Sequence, residues 1–284
     1  MITRFASVYC VLIILSTGCS NALKDTGHYV VRDTLPHDSA LAIRRRILQV
    51  DNGFFEPHSY GGSFTLPYRL LSPAAFAPER RYPLVLVLHS SGTPIGTDNT
   101  SQLGVLAKYW AQPSIRKRFP AFVVAPQFPR RSSNYAADSN RKVLVSQPDP
   151  CLDDALELVD SLIKALPVDP RRVYVVGFSM GGSGVINSLD RRPDLFAAGI
   201  ALSGIPDFSR LEALSRIPIW LVHGNGDREN PMATDSLLYH ELSAMGGRIK
   251  FWEIAGMDHM IDPGLLTGDA MPVWLFRHRR EGTK

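Results

Sequence analysis

A chain of 284 residues that is 45% hydrophobic and 20% charged fits one large globular domain, with or without an appendage, and can bury a sizeable core. Its 31 basic and 27 acidic residues leave a formal net charge of +4, too mild and too dispersed to argue for nucleic acid. The pairs Arg80-Arg81, Arg130-Arg131, Arg171-Arg172 and Arg191-Arg192 fall between apolar segments and read as solvated surface. Only Arg44-Arg45-Arg46 and Arg277-His278-Arg279-Arg280 are dense enough to suggest contact with an anionic surface.

The chain opens on a targeting segment. Arg4 supplies a positive start, residues 8–15 form an apolar run too short to span a bilayer, and Ser16-Thr17-Gly18-Cys19 is a small-residue processing site. Residues 1–19 are therefore expected to be a signal peptide. The stretch Leu15-Ser16-Thr17-Gly18-Cys19 resembles a bacterial lipoprotein signal, which implies lipidation of Cys19 and contact with a membrane only through that anchor. Ser16 stands where such signals most often carry leucine, so ordinary cleavage near the same point is the alternative. After processing, Cys151 has no cysteine to pair with, and the fold must rest on its core.

Residues 20–45 are polar, mixed and aperiodic, and are expected to be a tether. The domain proper is expected over 46–284. Residues 47–50 and 64–71 look like short strands, forming an N-terminal antiparallel flank, and Pro67 places its strand at an edge or a bulge. Beyond them, apolar runs at 84–88, 122–125, 173–176, 198–202, 219–222 and 249–254 read as strands buried on both faces. Helical spacing alternates with these runs: 152–166, with Asp149, Asp153 and Asp154 near its start, 232–245 before Gly246-Gly247, and 271–279. Such alternation predicts an α/β fold with a mostly parallel central sheet and helices on both faces.

One stretch carries chemistry on its face. The β-branched run Val173-Tyr174-Val175-Val176 enters Gly177-Phe178-Ser179-Met180-Gly181, and helical composition follows. That is the setting of a nucleophile elbow, where flanking glycines allow a turn tight enough to present a serine hydroxyl. Ligands of open α/β sheets bind beyond the carboxyl ends of the strands, and polar groups follow each run there. His89-Ser90-Ser91-Gly92 comes after 84–88, Gln127 after 122–125, His223-Gly224-Asn225-Gly226-Asp227 after 219–222, and Asp258-His259 after 249–254.

Serine is a weak nucleophile and needs an imidazole to take its proton, a role expected of His259. The imidazole in turn needs a carboxylate on its other nitrogen, expected to be Asp227, with Asp258, Asp207 and Glu229 as rivals. The oxyanion of a tetrahedral intermediate needs preset donors, expected to be the N–H groups of Met180 and Ser91. The order Ser179, Asp227, His259 is the chain order of this fold's triad. His223 reads as a turn residue and His89 as part of the oxyanion loop. No His-Glu-x-x-His or Cys-x-x-Cys spacing occurs, so no metal is called for.

The motifs at 89–92, Gly96-Thr97-Asp98-Asn99, 120–127, 177–182 and 223–227 together resemble the α/β-hydrolase esterases related to polyhydroxybutyrate depolymerases, feruloyl and acetylxylan esterases, and predicted extracellular peptidases. The resemblance covers roughly residues 64–280 and implies carboxylic-ester hydrolysis without a cofactor, on a small-molecule or polysaccharide ester. These proteins usually carry His-Gly where this chain has His89-Ser90. The segment 127–150 reads as a long loop over the strand ends, the place where specificity resides, and Gln127 is the leading substrate contact or else a brace for that loop. Activity is expected to fall below about pH 6 to 7 as the base protonates. A serine peptidase using the same triad, or a silent surface-binding lipoprotein that keeps the fold, are the competing readings.

Overall fold

A computed structural model describes residues 25–32, 34–92 and 100–281. The signal segment with Cys19, the first part of the expected tether, and the motif Gly96-Thr97-Asp98-Asn99 lie outside the described residues.

The chain begins with β1 (Gly27–Val31), α1 (His37–Leu48), β2 (Phe55–Gly61), β3 (Thr65–Leu71) and β4 (Tyr82–Leu88). It continues through α2 (Val105–Ala111), α3 (Pro113–Arg118), β5 (Phe122–Pro126), β6 (Ser133–Asp138), β7 (Val143–Pro148) and α4 (Cys151–Ala165). Then come β8 (Val168–Phe178), α5 (Met180–Arg191), β9 (Ala198–Leu202), α6 (Leu211–Ser215) and β10 (Ile219–Gly224). The last elements are α7 (Ala233–Ala244), β11 (Ile249–Ile254), α8 (Pro263–Thr267) and α9 (Ala270–Arg277).

The main sheet has the order β1-β11-β10-β9-β8-β4-β5-β3-β2. Strands β1 to β5 along that order pair in parallel, and β3 and β2 close it as an antiparallel flank. This is the α/β-hydrolase fold, as the alternation of runs predicts. Because side chains alternate across a strand, Leu84, Leu86, Leu88, Val173 and Val175 enter one core, and Val85, Val87, Tyr174 and Val176 the other. Helices α4, α5 and α7 cover the first face; α1, α2 and α9 cover the second. Leu152, Leu156, Val159 and Leu162 of α4 are all buried, and each such side chain contributes roughly 2 kcal/mol. Tenths of a kcal/mol separate ordinary helix propensities, so packing decides where α4 lies.

Four expectations need correction. The tether does not run to residue 45: β1 pairs in parallel with β11 at the sheet edge, and α1 packs Ala40 and Ile47 inward. An edge strand and a helix with a narrow buried stripe need little apolar sequence, and Arg44-Arg45-Arg46 masks the period. Residues 47–50 are the end of that helix and the turn after it, not a strand. Pro67 is not at the edge, since β3 lies between β2 and β5; its ladder with β5 begins at Tyr68, so on that side the missing N–H goes unused. The segment 127–150 is not a structureless loop but holds the hairpin β6–β7, closed by Asp138, whose Oδ1 accepts from the N–H groups of Asn140 and Arg141 at 2.9 Å.

Two buried charges organise the frame. Asp154 of α4 accepts from the N–H groups of Ser63 and Phe64, each at 2.8 Å, and so holds the β2–β3 turn. Lys250 of β11 is fully buried with its ammonium 3.8 Å from the Trp220 ring centre and 4.8 Å from that of Trp252. Burial, and Arg277 nearby, push its pKa down to about 7.

Candidate active site

Strand β8 ends at Phe178 and α5 begins at Met180, leaving Ser179 alone to make the turn. Ser179 takes φ +59° and ψ −120°, a conformation L-residues avoid. Its N–H donates to the carbonyl of Leu202 at 2.9 Å, which locks the elbow to β9. The turn closes because the glycines lack side chains: a Cβ on Gly177 would run into the Gly181 carbonyl, and one on Gly181 into the carbonyls of Leu88 and His89. The Met180 N–H belongs to the first turn of α5, where no intrahelical acceptor exists.

Two loops at the same edge of the sheet complete the arrangement. Asp227 follows β10 and His259 follows β11, adjacent parallel strands. His259 Nδ1 lies 2.7 Å from Asp227 Oδ2, and His259 Nε2 lies 2.8 Å from Ser179 Oγ. The carboxylate accepts from Nδ1–H, which leaves the Nε2 lone pair to receive the serine proton. Asp227 is fully buried and its other oxygen accepts from the N–H groups of Glu229 and Asn230, both at 2.9 Å. Burial pushes this carboxyl up, yet hydrogen bonds from His223, His259 and Asn230 override it and hold the group well below the usual carboxylate range.

The rival acids stand elsewhere. Asp258 accepts from the backbone N–H of His259 at 2.8 Å and that of Arg228. Asp207 accepts from Ser209 N–H and Oγ–H at 2.9 and 3.0 Å. Glu229 is three-quarters exposed, with Oε2 3.8 Å from His259 Nε2 on the side that faces Ser179. His89 is buried and neutral: its Nδ1–H donates to the Ser90 carbonyl at 2.9 Å and its Nε2 accepts from Phe128 N–H at 3.1 Å. Burial lowers its pKa, so the ring ties the turn after β4 to the loop after β5. Ser91 sits exposed in that turn.

Gln127 does not face the open site. It is fully buried, its Oε1 accepts from Ser101 Oγ at 2.6 Å and its N–H donates to the Pro67 carbonyl at 2.7 Å. These bonds tie the start of the loop after β5 to β3 and to Ser101. Cys151 is buried and free, its thiol pushed up by burial to about 12.

Several residues near the site carry no motif. Phe178 packs its ring against His259. Tyr135 of the hairpin reaches Ser183 Oγ at 3.1 Å, and that same oxygen accepts from Ile205 N–H at 2.8 Å, anchoring the first turn of α5. A cavity of about 290 Å³ opens beside His259, lined by His37, Leu41 and Arg44 of α1 together with Glu229, Asp258 and Met260. Helix α1 thus forms a wall of the cavity beside His259. Only the spacing of Ala40, Ile43 and Ile47 hinted at it.

The chain is similar to several known proteins. The prolyl oligopeptidase family matches residues 121–245. The putative esterase NocK of Nocardia uniformis subsp. tsuyamanensis is 30% identical over 171 residues, which are 59% of this chain and 46% of NocK. The bifunctional acetylxylan esterase/xylanase XynS20E of Neocallimastix patriciarum is 34% identical over 71 residues, 25% of this chain and 11% of that one. A thermostable esterase of known structure superposes with a TM-score of 0.72 at 31% identity, over 80% of this chain and 64% of its own. The chain spans less than half the length of the curated relatives it matches.

Proposed function

From the α/β-hydrolase fold and the likeness to esterases, we propose a serine carboxylesterase that works through an acyl-enzyme. The observation that carries this reading is the unbroken series of hydrogen bonds from Ser179 Oγ through His259 to Asp227. Ser179 Oγ attacks the ester carbonyl carbon while its proton passes to His259 Nε2, and Asp227 stabilises the imidazolium that forms. The carbonyl oxygen, now an oxyanion, is received by the N–H groups of Met180 and Ser91. As the intermediate collapses, the C–O bond to the alcohol breaks and His259 returns the proton to the departing oxygen. Water, activated by the same imidazole, then attacks the acyl-enzyme and frees the acid and Ser179.

Because His259 protonates the leaving group, the cavity beside His259 takes the alcohol. Its walls mix the apolar Leu41 and Met260 with acceptors on Glu229 and Asp258 and donors on Arg44. Such a lining suits a hydroxylated alcohol, which supports acyl or feruloyl esters of carbohydrates as substrates. The Arg4, residue 8–15 and Cys19 pattern supports an exported, lipid-anchored enzyme. Cys19→Ser should then abolish acylation of the chain and release it from membranes.

The test is a panel of esters, from nitrophenyl acetate to feruloylated and acetylated sugars, on the native chain and on Ser179→Ala, with fluorophosphonate labelling alongside. Turnover and labelling should both vanish in the variant while its melting curve persists; retained turnover would refute the reading. The prolyl oligopeptidase match favours a second reading, a peptidase with the same triad. Faster cleavage of amides than of esters with matched acyl groups would select it.

A further inference from the structure

Asp227 Oδ2 serves two imidazoles. Besides His259 Nδ1 at 2.7 Å, it meets His223 Nε2 at 3.2 Å, and the same Nε2 lies 2.9 Å from the Asn230 carbonyl. A carbonyl only accepts, so His223 Nε2 carries a proton. Its other nitrogen, Nδ1, lies 2.8 Å from Asp235 Oδ2. Asp235, on α7, is buried, and among the described residues its Oδ1 has no hydrogen-bond partner. His223 itself is completely buried. It is thus a ring clamped between two buried carboxyls, directly behind the residue that orients His259.

In the resting enzyme His259 must be neutral to act as a base, and Asp227, fully buried, would then have no cation beside it. Isolated burial strongly favours a protonated carboxyl. We propose that His223, held as an imidazolium by Asp235, is a positioning residue that keeps Asp227 ionised and aimed while His259 is uncharged. Its positive charge also reaches the oxygen that His259 uses, so the two rings share one carboxylate. Glu253, at the same level on β11, is engaged by Asn225 Nδ2–H at 2.9 Å and His28 Nε2 at 2.9 Å. The direction of the His223 shift agrees. Burial pushes His223 down, and its bonds to Asp227 and Asp235 override this and raise it to about 10. Asp235 shifts the other way, burial raising it against the pull of His223, so the imidazolium rests on the placing of the ring between the two carboxyls.

This inference rests on the triad reading, so its test avoids the natural substrate. The rate of fluorophosphonate labelling of Ser179 is followed against pH in the native chain, His223→Gln and Asp235→Asn. In His223→Gln the acid limb should move to higher pH by about one unit, roughly a tenfold slower labelling on that limb. Asp235→Asn keeps the size of the side chain and should shift the limb the same way by less. Labelling that is slower at every pH with an unmoved limb would make His223 merely structural and overturn the proposal. If His223→Gln does not fold, nitrogen NMR of the native chain decides: both ring nitrogens of His223 should carry protons at pH 7, and a bare Nδ1 would overturn it. Absence of labelling in the native chain would instead refute the hydrolase reading.

Discussion

The ring centre of Phe178 lies 4.9 Å from that of His259, with the planes tilted by 33°. The residue before Ser179 therefore supports the ring whose Nε2 lies 2.8 Å from Ser179 Oγ. Phe178→Ala should loosen that ring and lower kcat on a short ester by roughly ten- to a hundredfold, on the order of the loss from a misplacement of about 1 Å. KM should change little, because no substrate contact is removed. A rise in KM with kcat intact would show Phe178 to be part of the binding surface instead.

Asp227→Asn keeps the shape of the side chain but can present a donor where His259 needs an acceptor. Activity should fall by about 10³ to 10⁴-fold, measured as kcat/KM on nitrophenyl acetate. Asp258→Asn and Asp207→Asn should stay within a few-fold of the native chain.

The elbow tolerates no added carbon. In Gly181→Ala the new methyl would meet the carbonyls of Leu88 and His89, backbone atoms that cannot step aside. The variant should lose at least about 1–3 kcal/mol and its fluorophosphonate labelling together. Unaltered melting and labelling would mean that the elbow is more open than described.

The charge on His223 has a signature in stability. Its pKa rises from 6.5 to about 10 on folding, so its contribution is complete below pH 6.5 and is lost as pH climbs through 10. Lys250 acts in the opposite sense: with its pKa lowered from 10.5 to about 7, its unfavourable burial is felt fully below pH 7 and relieved toward 10.5. The difference between the native chain and His223→Gln separates the two. The gap in Tm should be widest near pH 6 and should narrow by pH 10; a constant gap would contradict a raised His223.

Helix α1 should govern the alcohol. Leu41→Trp fills the cavity beside His259, and should depress turnover of sugar esters far more than that of methyl esters with the same acyl group. Equal losses on both would place the alcohol outside this cavity.

The central strands and their order in the chain were open to sequence reasoning because burial on both faces demands unbroken apolar runs, as in 249–254. The elbow was equally open, since only glycine fits at 177 and 181. The hairpin β6–β7 was not, because its strands Ser133–Asp138 and Val143–Pro148 are half-exposed and carry no glycine turn. Nor was α1, whose few buried residues are separated by three arginines.

The same contrast holds at Ser179. Local chemistry alone, a β-branched run into Gly-x-Ser-x-Gly with a histidine and an aspartate after later strands, named Ser179, Asp227 and His259. Which carboxylate reaches His259, what lies behind it, and what lines the cavity beside it depend on residues far apart in the chain. Asp227 is set by the parallel pairing of β10 with β11, His223 by Asp235 reaching in from α7, and the cavity wall by a helix drawn from residues that read as a tether. Those are contacts between elements, and no local pattern encodes them.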